Sequence, residues 1–360
     1  MDANPIFFIV YIPRQAADPG QEPRRTPKDG PEHGEGQARD EKRFANRHAF
    51  SIIRHSYSTI EQSGMRIGIT GVTGFIGSAV AKAARERGHV IVAYTRQKEL
   101  FLPWAKEVRP FDPEAPGVLD PSGLDALIHL AGESVMGRWT AAKKARIRNS
   151  RVEITRRIVE GLRTCQLPPP VFLCVSATGA YGTRGDEVLT EDSSRGTGFL
   201  AEVCAEWEAA ACRALALGMR VVLLRTGMVL GTEGGAWPRL KRIFSIRMGS
   251  RLGSGKQWTP WIHVDDVVRM ILQAMEQDTY QGPVNLAAPN PVTNTELTLT
   301  IADLLGKSRL PPAPALALRL LLGEMSSLLL SSQRVQPQLA LANGYEFKYP
   351  MLAHALATLV

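Results

Sequence analysis

The chain has 360 residues, 44% hydrophobic residues and a formal charge of +8, which is length for one large α/β domain with an appendage and a composition ordinary for a globular fold. No apolar run reaches the length of a membrane span, and Cys165, Cys174, Cys204 and Cys212 show no C-x-x-C or metal spacing, so no membrane partner is expected, and a disulfide scaffold and a zinc site are disfavoured. Residues 1–64 hold nine Lys/Arg and nine Asp/Glu, so the positive excess lies in 65–360, where no aromatic-interleaved stripe points to nucleic acid and an anionic cofactor or small-molecule substrate is the economical partner.

In chain order, Met1–Tyr11 lacks the basic start and cleavage site of a signal peptide, and 13–48 is too rich in Pro, Gly, Gln and mixed charge to offset its ordering entropy. Met65 stands one residue before the first strand, so 1–64 reads as a disordered tail or as an upstream extension from a mis-called start. Arg66–Thr70 then reads as a buried strand, 78–87 as a helix and 90–95 as a second strand. Between strand and helix lies Gly71-Val72-Thr73-Gly74-Phe75-Ile76-Gly77, a dinucleotide fingerprint in its βαβ setting. Gly71 makes the tight turn, Gly74 lets the backbone approach a pyrophosphate, and Gly77 lets the helix pack closely. The free N–H groups of the helix start meet the phosphate charge. At the end of the second strand, where an NAD site offers a carboxylate, stands Arg96, with Lys98 nearby and no acid before Glu99. A guanidinium forks onto a 2′-phosphate, so NADP is preferred over NAD.

Further strands are expected at 125–130, 171–176 and 220–225, with helices at 140–163 and 199–217. Continuous apolar strands alternating with helices give a Rossmann-type, doubly wound parallel sheet covered on both faces. The expected organisation is a dinucleotide-binding domain over 65–290, a linker region over 291–314 ending in Pro311-Pro312-Ala313-Pro314, and a small helical C-terminal domain over 315–360. The Leu-rich run 315–330, broken by Arg319 and Glu324, reads as an amphipathic helix. The cysteine usage suits a reducing, cytoplasmic compartment, and oligomeric state stays open.

Ligands in such sheets sit beyond the carboxyl ends of the strands. Those ends carry Leu130-Ala131-Gly132-Glu133, Ser176-Ala177-Thr178-Gly179-Ala180-Tyr181 and Arg225-Thr226-Gly227, followed by Trp261-Ile262-His263-Val264-Asp265-Asp266. In this order, together with Arg138-Trp139-Thr140, Ser150-Arg151-Val152, Gly253 to Trp258 and Gly323-Glu324, the segments resemble the extended short-chain dehydrogenase/reductase superfamily. More closely they resemble its atypical branch, the epimerase family proteins with a DUF1731-type C-terminal domain. The resemblance covers 65–360 and implies cofactor contacts from Gly71, Thr73, Gly74, Phe75, Ile76, Gly77, Arg96, Leu130, Ala131, Gly132, Ser176 and Arg225.

The departures bear on catalysis. Extended members use a Tyr-x-x-x-Lys pair, in which tyrosine moves the proton and lysine lowers its pKa and holds the ribose. Here Leu200 stands at the tyrosine position and Cys204 at the lysine position, Arg151 replaces an asparagine, and Thr259 stands where sugar epimerases carry a diphosphate-binding arginine. Candidate substitutes are Ser176, Tyr181 and Cys204, with the Cys204 side chain expected toward the nicotinamide ribose. Glu133, Arg138, Arg151 and Trp258 are substrate candidates, with Trp139 and Trp261 completing an aromatic rim. His263 is expected to brace a loop rather than hold metal, and Asp265 and Asp266 to begin the helix 266–276. Two classes stay open: an NADP-dependent oxidoreductase or epimerase acting on a small anionic or sugar-like substrate, and a catalytically silent NADP-binding sensor or scaffold.

Overall fold

The structure, a computed structural model, describes residues 64–97, 99–112, 119–307 and 310–360. The 1–63 part of the expected tail, and Lys98, lie outside the described residues.

Seven strands form one sheet: β1 (Arg66–Thr70), β2 (Val90–Thr95), β3 (Glu107–Pro110), β4 (Ala126–His129), β5 (Val171–Ala177), β6 (Arg220–Thr226) and β7 (Gly282–Leu286). Their spatial order is β3-β2-β1-β4-β5-β6-β7, and every pairing is parallel. Successive side chains on a strand point to opposite faces. All residues of β4 and β5 are buried, so both faces of the sheet centre are covered. Helix α1 (Phe75–Glu86) packs beside α5 (Val264–Glu276), and α2 (Ala141–Thr164) beside α3 (Phe199–Cys212). The sheet order reverses between β1 and β4, the switch point at which a crevice opens beyond the strand ends.

A second core joins α4 (Trp237–Ser245), α6 (Asn294–Leu304) and the C-terminal helix Leu352–Ala357 around Trp237, Trp261, Ile301, Tyr349 and Leu356. The stretch 291–314, expected as a linker, contains α6 and a strand, Leu310–Ala313, paired with Ser250–Leu252. Thr293 and Glu296 close α6 with a reciprocal capping box, a start signal that composition alone concealed. Beyond it, α7 (Ala315–Leu322) and the short helices Ser327–Leu330, Gln338–Ala342 and Leu352–Ala357 make the mostly helical C-terminal region. Among the described residues no helix is long and apolar enough to cross a membrane.

His263 caps α5, its Nδ1 accepting from the Asp265 N–H at 3.1 Å, while Nε2 lies 3.5 Å from Thr358 Oγ1, so the expected brace is present. Asp266 is fully buried inside the first turn. It accepts from the Tyr345 hydroxyl at 3.0 Å and from the Lys348 and Tyr349 N–H groups, each at 2.9 Å.

Candidate cofactor groove and substrate cavity

A groove of about 360 Å³ opens at the switch point. Its lining brings together Gly71, Thr73, Gly74, Phe75, Ile76, Gly77, Arg96, Leu130, Ala131, Gly132 and Glu133, which were picked out separately along the sequence. Gly71 takes φ +69°, and a Cβ there would lie 2.7 Å from the Ala131 nitrogen and the Leu130 carbonyl carbon. A Cβ on Gly77 would stand 2.2 Å from the Gly71 carbonyl oxygen. Gly74 is the N-cap of α1 with ordinary backbone angles, no side-chain cap and no acid in the first turn, so the helix start presents bare N–H groups to the groove. This cradle fits a dinucleotide pyrophosphate.

Arg96 lies exposed at the groove edge beyond β2, beside Thr95 and Tyr94. At the other end Glu133 accepts from Lys143 Nζ at 2.6 Å, and its N–H donates to Ser150 Oγ at 3.0 Å. Sequence reasoning missed several lining residues, among them Thr70, Tyr94 and Ser150. Thr70 Oγ1 lies 2.7 Å from His129 Nδ1, and burial together with the Arg151 charge pushes the His129 pKa down to about 3, so this imidazole is neutral.

A larger cavity of about 660 Å³ lies beyond β5, the neighbour of β4. Trp139, Phe199, Leu200, Met228, Trp258 and Pro260 give it apolar walls, Thr178, Thr183, Thr197 and Thr259 supply hydroxyls, and α7 with 323–333 closes it, adding Arg319 and Glu324. Trp258 Nε1 donates to Asp186 at 2.7 Å, and Trp139 meets Phe199 edge-on at 5.3 Å, which fixes both indoles. Thr178 was missed from sequence. Its signal was its place just past Ala177, the last residue of β5.

The three catalytic candidates reach neither cavity. Ser176 is fully buried and its hydroxyl donates to Glu208 Oε1 at 2.6 Å, because its strand position points it into the layer under α3 rather than past the strand end. Tyr181 is fully buried, its hydroxyl donating at 2.8 Å to the Thr190 carbonyl and lying 2.9 Å from Asn285 Oδ1, and burial pushes its pKa well up. It is a packing tyrosine. Cys204 is also fully buried and donates to the Leu200 carbonyl one turn back rather than facing a ribose. Burial, then Glu208, hold its thiol up against the opposing pull of Arg151 and Arg195, so a working thiolate is disfavoured.

Other assignments change as well. Arg225 is buried at the end of β6, where it binds the Tyr181 hydroxyl and the Glu191 carbonyl, the latter at 2.8 Å, so it secures the 190–191 loop instead of lining the groove. Arg151 lies behind the groove wall, its guanidinium carbon 3.7 Å from where a Cβ on Gly132 would stand, stacked 5.3 Å from Trp207. Burial lowers its pKa to about 10, which leaves it cationic. Arg138 is exposed and outside both cavities, and Trp261 belongs to the second core. Glu133 and Trp258 do line a cavity each.

The network around Tyr181 has a pH signature. Glu191 Oε1 accepts from the Asn285 N–H at 2.8 Å, and desolvation raises the Glu191 pKa to about 7. A carboxyl raised in the folded state contributes stability that is complete below its unfolded value and is lost as pH rises through about 7. Urea denaturation is therefore expected to show stability falling by up to about 3 kcal/mol between mildly acid and neutral pH. Glu191→Gln should flatten that slope; an unchanged slope assigns it to another group.

A parallel sheet of this order, with a glycine cradle at its first turn and a crevice at the switch point, defines an NAD(P)-binding Rossmann protein. Residues 67–287 match the NAD dependent epimerase/dehydratase family, and residues 313–359 match a domain of unknown function, DUF1731. The chain belongs to that family. It is 36% identical over 314 residues, 84% of this chain and 89% of the relative, to the Epimerase family protein SDR39U1 homolog, chloroplastic, of Arabidopsis thaliana. It is 34% identical over 304 residues, 82% of this chain and 98% of the relative, to the Epimerase family protein YfhF of Bacillus subtilis. The crystal structure of human epimerase family protein SDR39U1 (isoform 2) with NADPH superposes with a TM-score of 0.73 at 29% identity, covering 82% of this chain and 99% of that one.

Proposed function

We propose that this chain is an NADP(H)-dependent oxidoreductase or epimerase-like enzyme whose substrate is a small hydroxylated or singly charged molecule, acting without a Tyr–Lys pair in a reducing, cytoplasmic setting. The observation that carries it is the juxtaposition of an arginine-edged nucleotide groove with a second, larger cavity over the next strand end. Arg96 would hold the 2′-phosphate, the N–H groups of Phe75 to Gly77 the pyrophosphate, and Ala131 and Gly132 would let the nicotinamide ribose lie close. When bound, the cofactor supplies a two-electron hydride carrier. In the adjoining cavity the threonine hydroxyls and Arg319 orient polar groups, the indoles of Trp139 and Trp258 pack the body of the substrate, and the closing C-terminal region excludes water. A human relative's structure with NADPH supports the cofactor reading.

One observation favours a second reading, a silent NADP-binding sensor: Leu200 lines the cavity at the tyrosine position, and Cys204 is buried at the lysine position. Two measurements test the proposal. Calorimetric titration should show NADPH binding more tightly than NADH, with Arg96→Asp reducing the preference by roughly 1–3 kcal/mol. Equal affinity in the unmodified protein removes the NADP assignment. Deuterium carried on NADPH C4 should appear in a small molecule when the protein is incubated with a metabolite extract; its retention on the cofactor while binding is intact favours the sensor.

A further inference from the structure

Two segments, which reach the larger cavity only through Trp258, Thr259, Pro260, Arg319 and Gly323, share an unusual composition. From Gly234 to Val264 there are six cations, Arg239, Lys241, Arg242, Arg247, Arg251 and Lys256, and no carboxylate, and 304–323 adds Lys307, Arg309 and Arg319, again with none. The bounding acids are Glu233, Asp265, Asp303 and Glu324. Among the described residues, none of these cations with described side chains enters an ion pair within 4.0 Å, whereas the basic residues of α2 are mostly paired with glutamates. Among the described residues, the same segments hold half of the large exposed apolar side chains: Ile243, Ile246, Met248, Leu310, Leu316, Leu320 and Leu321, the last two 78% and 77% exposed.

The fold places these segments side by side. Leu310 N–H donates to the Gly249 carbonyl at 2.9 Å, Gly253 N–H to the Ala313 carbonyl at 2.8 Å, and the two strands between them are paired. Helix α7 leaves this ribbon with no buried residue. Arg247 is the one non-glycine with positive φ, +58°, among the described residues. That strained conformation sits in the exposed run Ile246-Arg247-Met248.

We propose that the face formed by the end of α4, residues 246–251 and α7 docks peripherally on an anionic lipid bilayer. Interleaved exposed apolar and unpaired cationic side chains suit an interface where apolar groups enter the acyl boundary and cations meet headgroup phosphates. A second copy of the chain would set like charges against one another, and a nucleic acid would leave the leucines without partners. The sequence predicts no membrane partner from its lack of a spanning segment, which peripheral docking does not need.

The full chain, sedimented with vesicles of equal parts phosphatidylcholine and phosphatidylglycerol, should bind them and leave pure phosphatidylcholine vesicles unbound, with affinity falling as salt rises. Arg242→Glu combined with Arg247→Glu should weaken binding roughly tenfold or more, and Met248→Ser combined with Leu320→Ser should weaken it comparably. NADPH-induced thermal stabilisation serves as the folding control for each variant. Equal binding to both vesicle types, or no binding to either, overturns the proposal. So does binding to heparin that ignores the apolar substitutions, which marks an acidic macromolecule, or a dimer dissolved by the same substitutions, which marks a second copy.

Discussion

Gly71→Ala and Gly77→Ala are expected to lose both stability and NADPH binding, whereas Gly74→Ala is expected to lose binding alone. At Gly71 an alanine must adopt φ +69° and place its methyl 2.7 Å from the backbone of the β4 end, which cannot yield without opening the sheet. At Gly77 the methyl would meet the Gly71 carbonyl at 2.2 Å. Left-handed strain and backbone overlap together cost about 3 kcal/mol or more. For a domain of this size that lowers Tm by roughly 6–12 °C. Gly74 differs, with φ −77° and a Cβ contact no closer than 3.1 Å, so its alanine variant should fold within about 0.5 kcal/mol of the parent. Its methyl would still stand where the pyrophosphate approaches, weakening NADPH about tenfold or more. Differential scanning calorimetry and titration of all three variants separate the roles. Unchanged affinity in Gly74→Ala would show that the phosphate lies elsewhere, and an unchanged Tm in Gly77→Ala would refute the close helix–sheet contact.

The glycine turn was legible because its constraints are local: a strand, a sharp turn and a helix start follow one another in sequence, and each glycine answers to its own neighbours. The five expected strands hold for the same reason, their apolar runs being continuous. Two strands of the seven-stranded sheet escaped. Glu107–Pro110 is an edge strand without an apolar run, and Gly282–Leu286 opens on Gly-Pro, so neither carries the pattern that marks buried strands. The catalytic candidates failed for a different reason. Ser176, Tyr181 and Cys204 sit at register positions that a family pattern would marshal around a nicotinamide, but orientation depends on which neighbour satisfies each polar atom. Glu208, Thr190, Asn285 and the Leu200 carbonyl claim them first. Those partners lie up to 104 residues away, beyond any local reading. Residues lining a wall through their backbone or a short side chain, such as Ala131 and Gly132, depend only on where the strand stops, which the sequence does reveal.

Asp266 shows the same principle as a stability effect. Asp265 and Asp266 look alike as the opening of a helix, yet Asp265 is half-buried and pairs with Lys348 Nζ at 2.7 Å, while Asp266 is fully buried. The Asp266 carboxylate collects the Tyr345 hydroxyl and two consecutive N–H groups, so it fixes the 345–349 turn that leads into Leu352–Ala357. Asp266→Ala strands those donors and leaves Arg269 without its ion-pair partner, at a cost of roughly 3–5 kcal/mol. Asp266→Asn keeps one acceptor oxygen but turns an NH2 group toward the N–H of Lys348 or Tyr349, so it should lose about 2 kcal/mol rather than recover the parent. Asp265→Asn removes only an exposed ion pair and should cost less than about 1 kcal/mol. Because Tyr349, Leu352 and Leu356 belong to the second core with Trp237 and Trp261, the loss should be felt beyond the turn, as a broadened or lowered unfolding transition. Urea denaturation of the three variants ranks them. Should Asp266→Ala prove no less stable than Asp265→Asn, the carboxylate is not what ties the C-terminal region to α5, and the packing of Tyr349 and Leu352 alone must hold it.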